Sequence, residues 1–480
     1  MKLFLTKSFT GLSDYENKGV AGRFKFGQNL DVRKDTDSLS CGQALTDDLS
    51  PTIEDNPMTS LALFVVNASD GNSYHFCRGG KIYKRSSAGT YTLVYTDADG
   101  VITGASEWVN DQGNKFLYWA NSTKLKRKQI PGSSDWSDVN ATVNGQTYPK
   151  TNLTSAVWHT MLQMSGSLYI CNANTLGLVG YDDSYTNDAL QLIPGNNSKC
   201  LMEYNNYAYI GCSRDDNGQR AELFVWDMAQ SLNWNAVRKQ GASPVNALIS
   251  AEFPLAQVGP NGNIRLSDVS QYTLPIKSFP GGGQVNPDGV EADDLAYFGS
   301  FGNTPDTNTT DFDGQIRTGV YTFGRKKHNA DPVTNLEYAL DCDEIGYVKY
   351  VGTDLLISYY KEGVGYGVKK VDQSTKANGL YQSLDFRAPN SIKEPVWSMV
   401  KVVMKSLPAQ CYITVRRRIN KTGEWKNCNL VDKNTSADTE GTIEAFYLMG
   451  DKGRFCEVEI ALHSYGDTCP EIFYFETIFE

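Results

Sequence analysis

Side chains able to carry chemistry are few in this chain and far apart. The four histidines, His75, His159, His328 and His463, fall in separate segments. None has the HExxH spacing that sets two imidazoles and a base on one helix face, so no metal site is expected. No GxSxG elbow is present, and the cysteines do not fall in a nucleophile signature. Cleaving a glycoside would need two carboxyl groups facing each other across a cleft. Acidic clusters occur at Asp182-Asp183, Asp293-Asp294, Asp311 with Asp313, and Asp341 with Asp343 and Glu344. Each lies near a loop or strand end, where Asp favours turns, and no Asp-box turn accompanies them. Asp343 and Glu344 are the carboxylates a glycosidase reading would use.

Two loops resemble ligand cradles and fail on chemistry. Ser213-Arg214-Asp215-Asp216-Asn217-Gly218 looks like a calcium loop, but Arg214 intrudes and no bidentate Glu follows at the twelfth position. An Asn-Gly hairpin turn explains it. The run from Gly363 to Lys370 looks like a phosphate loop without the helix whose N-terminus would bind the anion. A hairpin is expected there instead.

Two basic runs remain, Lys124 to Lys128 and Arg416 to Arg418. On a strand, Arg416 and Arg418 share one face and Arg417 takes the other. Such runs are ordinarily solvated faces. Their sharper reading makes Lys124, Lys126, Arg127, Arg416 and Arg418 an interaction surface, facing an acidic neighbour or lining a channel that carries nucleic acid. No catalytic residue, cofactor or metal is expected.

The elements that must position these groups are strands. The 480 residues carry 40% apolar and 21% charged residues, which is the composition of a folded chain. The 27 Tyr and 43 Gly favour strands and tight turns. A net charge of -10 argues against a protein built to coat nucleic acid. No stretch approaches the roughly 18 apolar residues of a membrane helix, and the start lacks a secretory pattern. The ten Cys show no CxxC spacing and read as reduced, buried thiols.

A strand–turn–strand phrase ending on an aromatic recurs on a scale of roughly 40 to 60 residues, the signature of a blade-by-blade fold. It is visible at Tyr74-Cys77 with Lys81-Tyr83, at Leu168-Cys171 with Leu176-Tyr181, and at Tyr207-Ile210 with Ala221-Asp227. The expected architecture is all-β: an N-terminal extended arm over 1–55, a β-propeller of about seven blades over 56–386, and a C-terminal β-sandwich or jelly roll over 387–480. The arm packs on the body or a neighbour, or is a partly ordered terminus. Inner strands are expected at Leu61–Val66, Phe116–Ala120, Leu168–Cys171, Tyr207–Cys212, Ala247–Val258, Leu295–Ser300 and Leu355–Tyr360. Long inserted loops are expected at Gly281–Gly283 and from Asn303 to Gly314. Loops of that kind tend to make contacts.

Three stretches carry a family resemblance. They are Gly27-Gln28-Asn29-Leu30-Asp31-Val32-Arg33 leading to Ser38–Leu45, Arg220–Asp227, and Val402–Pro408 with Ile413–Arg418 and Glu424-Trp425. Together they resemble virion structural proteins of tailed bacteriophages, particularly the β-propeller nozzle of short tails. The resemblance implies a non-enzymatic tail component located in the virion and assembled in the host cytoplasm. It would form a homo-oligomeric ring around a central channel, contact other tail proteins and help genome ejection as DNA passes, without membrane insertion. The competing classes are a propeller that recognises a host glycan through loop aromatics such as Trp136, Trp234 and Trp425, and a glycosidase.

Overall fold

The computed structural model describes residues 2–12, 22–32, 37–51, 58–132, 135–143, 145–214, 220–229, 233–250, 254–259, 263–266, 288–290, 295–301, 316–324, 333–389, 394–421, 424–431 and 440–480. The loops expected at Gly281–Gly283 and Asn303–Gly314, the acids Asp293, Asp294, Asp311 and Asp313, His328, and the turn residues 215–218 lie outside them.

Alternating apolar and polar residues between Gly- and Asn-rich turns fold into up-and-down antiparallel units. The first is Ala62–Asn67, Ser73–Cys77, Lys81–Arg85 and Tyr91–Thr96; the second is Ile102–Val109, Lys115–Asn121 and Leu125–Ile130. Then come Met161–Met164 through Tyr185–Gln191, Asn196–Tyr204 through Ala236–Lys239, and Val245–Ser250 through Asn263–Leu266. The sixth unit is Asp288–Val290, Leu295–Ser300, Gly319–Gly324 and Val333–Ala339. The seventh is Glu344–Val351, Asp354–Lys361 and Gly365–Lys376, completed by Gln43–Leu49 from the start of the chain.

Leading strands of successive units touch in order, and Glu344–Val351 returns to Ala62–Asn67, so the ring closes as a seven-bladed propeller. Leading strands are therefore innermost. Most strands expected to be innermost are instead second in their blades, as Lys115–Asn121, Ser167–Asn172 and Leu295–Ser300 are. The reason is burial. A second strand has a partner on each edge and a blade against each face, so it carries the longest apolar runs.

Residues 1–55 contribute strands to two bodies. Gln43–Leu49 is the outer strand of the seventh blade, fastened to the first blade where Arg85 Nε donates to Asp48 at 2.7 Å and Tyr91 OH donates to the same carboxylate at 2.7 Å. Lys2–Thr6 and Leu39–Cys41 both pair with Glu471–Phe479, and Phe24–Gln28 pairs with Gly379–Ser383.

Those pairings belong to the C-terminal sandwich. One of its sheets runs Leu30–Asp31, Leu39–Cys41, Glu471–Phe479, Val396–Met404, Glu444–Lys452 and Asn429–Leu430. The other runs Phe24–Gln28, Gly379–Ser383, Phe455–His463, Tyr412–Ile419 and Lys426–Asn427, and joins the sixth blade where Gln28 sits beside Leu336. Trp397, Tyr381 and Phe475 share one buried apolar cluster with Phe298 and Phe323 of that blade. The sandwich is thus bonded to the disc through a common core rather than tethered by a linker. Among the described residues no helix is long and apolar enough to cross a membrane.

Candidate functional site

The two basic runs lie in different bodies and do not converge. Leu125–Ile130 is the outermost described strand of the second blade, and its alternation sends successive cations to opposite neighbours. Lys126 Nζ reaches Asp97 at 2.6 Å and Asp99 at 2.5 Å, while Lys124 meets Asp99 at 2.6 Å. Burial works against the Lys126 charge, and hydrogen bonds to the two carboxylates outweigh it and raise its pKa. Arg127 points the other way, 3.0 Å from Asp183, between the rings of Phe116 and Tyr148 at 4.3 and 4.1 Å. In the sandwich, Arg416 pairs with Glu459 at 2.5 Å and Arg418 with Glu457 at 2.6 Å.

The expectation of an exposed cationic surface is therefore corrected. Lys126, Arg127 and Arg418 are buried, and Lys124 and Arg416 are partly exposed but paired. The acids that neutralise the first run lie one turn or one blade away and are brought in only by the fold. Buried charges persist where they are paired and hydrogen-bonded.

Two of the three described histidines, His75 and His159, occupy blade joints rather than a site. His75 Nδ1 meets Tyr347 OH at 2.8 Å across the first and seventh blades, and its Nε2 meets Ser73 Oγ at 3.1 Å. His159 Nδ1 meets Thr103 Oγ1 at 2.8 Å across the second and third blades. Burial, chiefly, lowers the pKa of His75 to about 3 and of His159 to about 4. His463 stacks on Tyr412 with centroids 4.0 Å apart.

The acidic clusters are similarly engaged. Asp183 accepts from Tyr118 OH at 3.0 Å and from Asn110 Nδ2 at 2.8 Å, while Asp182 caps its own turn through Ser184. Asp341 pairs with Lys361, Asp343 accepts the Glu362 N–H at 2.6 Å, and Glu344 pairs with Arg78 of the first blade. Among the described residues no group of three or more His, Cys, Asp or Glu could hold a metal ion. The segment around Gly363 is the turn of a hairpin between Asp354–Lys361 and Gly365–Lys376.

Two features escaped the sequence reading. One is Lys199, on the innermost strand of the fourth blade at a bulge between Ser198 and Cys200. Its Nζ donates to Asn246 Oδ1 at 3.0 Å on the innermost strand of the fifth blade and lies 5.5 Å from the Trp158 ring. Burial lowers its pKa to about 8. A lone lysine amid strand residues gives no signal of this. The amine could add to a carbonyl, but the groups hydrogen-bonded around it form a latch between blades rather than an acid–base pair.

The other is the outer face of the sandwich sheet that carries Glu471–Phe479. Register aligns Leu3, Ile478, Met399 and Leu448 across four strands, with Leu5, Glu476, Lys401 and Phe446 as the next row. Leu3 is 53% exposed, Leu5 49% and Leu448 47%. The available signal was Val396–Met404, which is apolar at positions of both parities: Trp397, Val400 and Val402 point inward while Met399 and Val403 point out. A strand apolar on both faces needs cover on both.

In fold the chain is similar to a streptogramin B lyase (10% identity, TM-score 0.41, covering 69% of this chain and 98% of that one). It is similar also to the WD40 repeats of RRP9 (11%, 0.46, 69% and 99%) and to the Neurospora crassa Pan2 WD40 domain (8%, 0.43, 71% and 98%). No protein-family model matches the chain, and no curated protein matches its sequence.

Proposed function

We propose that this chain is a non-enzymatic structural component of a phage tail, in which copies form a ring around a channel and bind other tail proteins during genome delivery. The observation that carries the reading is the apolar row Leu3–Ile478–Met399–Leu448 on the outer face of the sandwich, whose ends Leu3 and Leu448 are about half exposed while Ile478 between them is buried. Rows of this kind are covered in oligomers and rarely left open in monomers. Two further points support it. The described cations and acids singled out as candidates are engaged in turns, within blades, between blades and within the sandwich rather than converging, and the sequence resembles tail propellers in its entry, body and C-terminal domain.

A glycan-binding role requires open aromatic faces. Trp136 stacks on Tyr95 at 5.3 Å, Trp234 meets Phe224 edge-on at 5.1 Å, and the Arg418 guanidinium covers Trp425 at 4.9 Å. These contacts favour assembly over sugar stacking.

Negative-stain electron microscopy and native mass spectrometry of the purified chain test the proposal. The expected result is a ring of copies, lost in the double variant Leu3→Glu/Leu448→Glu. A chain that stays monomeric at every concentration and never enters phage particles would refute it.

A further inference from the structure

Arg85, Lys126, Arg127 and Arg418 are buried cations, and each meets a carboxylate: Asp48, Asp97, Asp183 and Glu457 in turn. Lys199 is buried too, and among the described residues no carboxylate pairs with it. Asn246 Oδ1 accepts one of its three N–H groups at 3.0 Å, and the other two meet no acceptor among the described residues. A buried ammonium in that state is costly unless an anion completes it. Burial accordingly lowers its pKa to about 8.

The groups around the amine are held in place. Asn246 Nδ2 donates to the Gly259 carbonyl at 2.8 Å, which commits Oδ1, the other end of the amide, to Lys199. Thr160 Oγ1 donates to the Lys199 carbonyl at 2.6 Å, and the His159 N–H donates to the Thr103 carbonyl at 2.8 Å. Those two bonds pin the segment that carries Trp158, whose ring lies 5.5 Å from Lys199 Nζ. Trp158 also packs on the apolar cluster of the first two blades, so its indole reaches from there to the fourth blade. Its neighbour in the chain, Val157, is 73% exposed, more than any other large apolar side chain among the described residues.

We propose that Lys199, Asn246 and Trp158 form a binding site for a small carboxylic acid with an apolar tail. The carboxylate takes the two unused N–H groups of the Lys199 ammonium, and the tail lies along the Trp158 ring toward Val157. Charge, donor count and surface each select this class. One cation calls for one negative charge, and two N–H groups match the two oxygens of a carboxylate. The indole and the valine give the tail apolar cover. A phosphate dianion would bring a second charge and a third oxygen with no partner here. Only 8% of Lys199 is exposed, so a small molecule reaches the amine where a side chain of another protein does not. The site lies in the disc, away from the sandwich face, and does not depend on how copies assemble.

Isothermal titration of the whole chain at pH 7 with phenylacetate tests the proposal, with phenylacetamide and inorganic phosphate as comparisons. The expected result is saturable binding of one phenylacetate per chain, and none of the neutral amide or of phosphate at the same concentrations. Lys199→Met keeps the length of the side chain and removes its charge, and should weaken binding by about tenfold or more. Asn246→Asp sets a carboxylate beside the ammonium from within the chain, and should displace the ligand to a similar degree. Trp158→Ala should weaken binding severalfold and leave the preference for the charged probe intact. Because the stoichiometry is counted per chain, the result stands whether or not a ring forms. No binding of phenylacetate, equal binding of phenylacetamide or phosphate, or undiminished binding in Lys199→Met or Asn246→Asp would overturn the proposal.

Discussion

At the joint between the second and third blades, Arg127 is clasped by Asp183, Tyr118 and two flanking aromatic rings with almost no surface left to water. On the outer sheet of the sandwich, by contrast, Leu3 and Leu448 in one row and Leu5 in the next stand about half exposed. The disc turns its charges inward and satisfies them with its own acids; the sandwich turns part of its apolar surface outward. The difference separates a joint whose charges are satisfied within the chain from a sheet face whose apolar row has exposed ends. Interaction is therefore to be sought on the sandwich, and rigidity in the blade joints.

The sharpest way to break this contrast is at Arg127. Arg127→Ala leaves Asp183 buried without its cation, and denaturant unfolding should record a loss of about 3–5 kcal/mol. A loss below 1 kcal/mol would mean that the joints are not what holds the disc.

Acid should also loosen the disc before the sandwich. In the unfolded chain His75 and His159 take up protons near 6.5; in the fold they do so only near 3 and 4. Their contribution is complete above the unfolded value and lost as pH falls toward the folded ones. Together they should remove about 2–4 kcal/mol between pH 6.5 and 5. Hydrogen exchange would check the order: protection should fall in Ser73–Cys77 and Met161–Met164 while Val396–Met404 stays protected.

Lys199 sharpens the comparison from within the disc, because its hydrogen-bond acceptor is an amide rather than a carboxylate. Its folded pKa is depressed to about 8, so the cost of burying the charge is present at neutral pH and vanishes as pH rises toward the unfolded value. Lys199→Met should therefore stabilise the protein by about 1–3 kcal/mol at pH 7, with the gain disappearing at alkaline pH. Destabilisation would show that the latch to Asn246 contributes more than the buried charge costs.

The smallest effect belongs to the outer sandwich face. Leu448→Glu should change the stability of the isolated chain by no more than about 0.5 kcal/mol, because it adds charge to a position already half in water. A large loss would mean that the face is packed by the chain itself and is not an open surface.

Much of the fold was legible because a strand's period of two survives in the sequence without knowledge of its neighbours. The C-terminal stretch read as a small β domain over 387–480 carries the strands Val396–Met404 and Glu471–Phe479. Rank within a blade was less legible, since an apolar run reports burial and not distance from the axis. Second strands such as Lys115–Asn121 accordingly read as innermost. The charged positions were least legible. Lys124 to Lys128 has the local appearance of a solvated face, and nothing near Arg127 in sequence announces Asp183 more than fifty residues later.

The sequence by itself determined that the chain is all-β, that its units repeat, and that the residues needed for metal or nucleophilic chemistry do not cluster along it. These are properties of local pattern and composition. Only the tertiary structure decided that Gln43–Leu49 completes the seventh blade beside Gly365–Lys376, that the basic runs are ion-paired within the chain, and that the two ends of the sandwich's apolar row, Leu3 and Leu448, are left in view. The physical reason is the same in each case. Strand pairing and charge pairing join residues that are tens to hundreds of positions apart, and a local pattern specifies what a segment can bury without specifying against what.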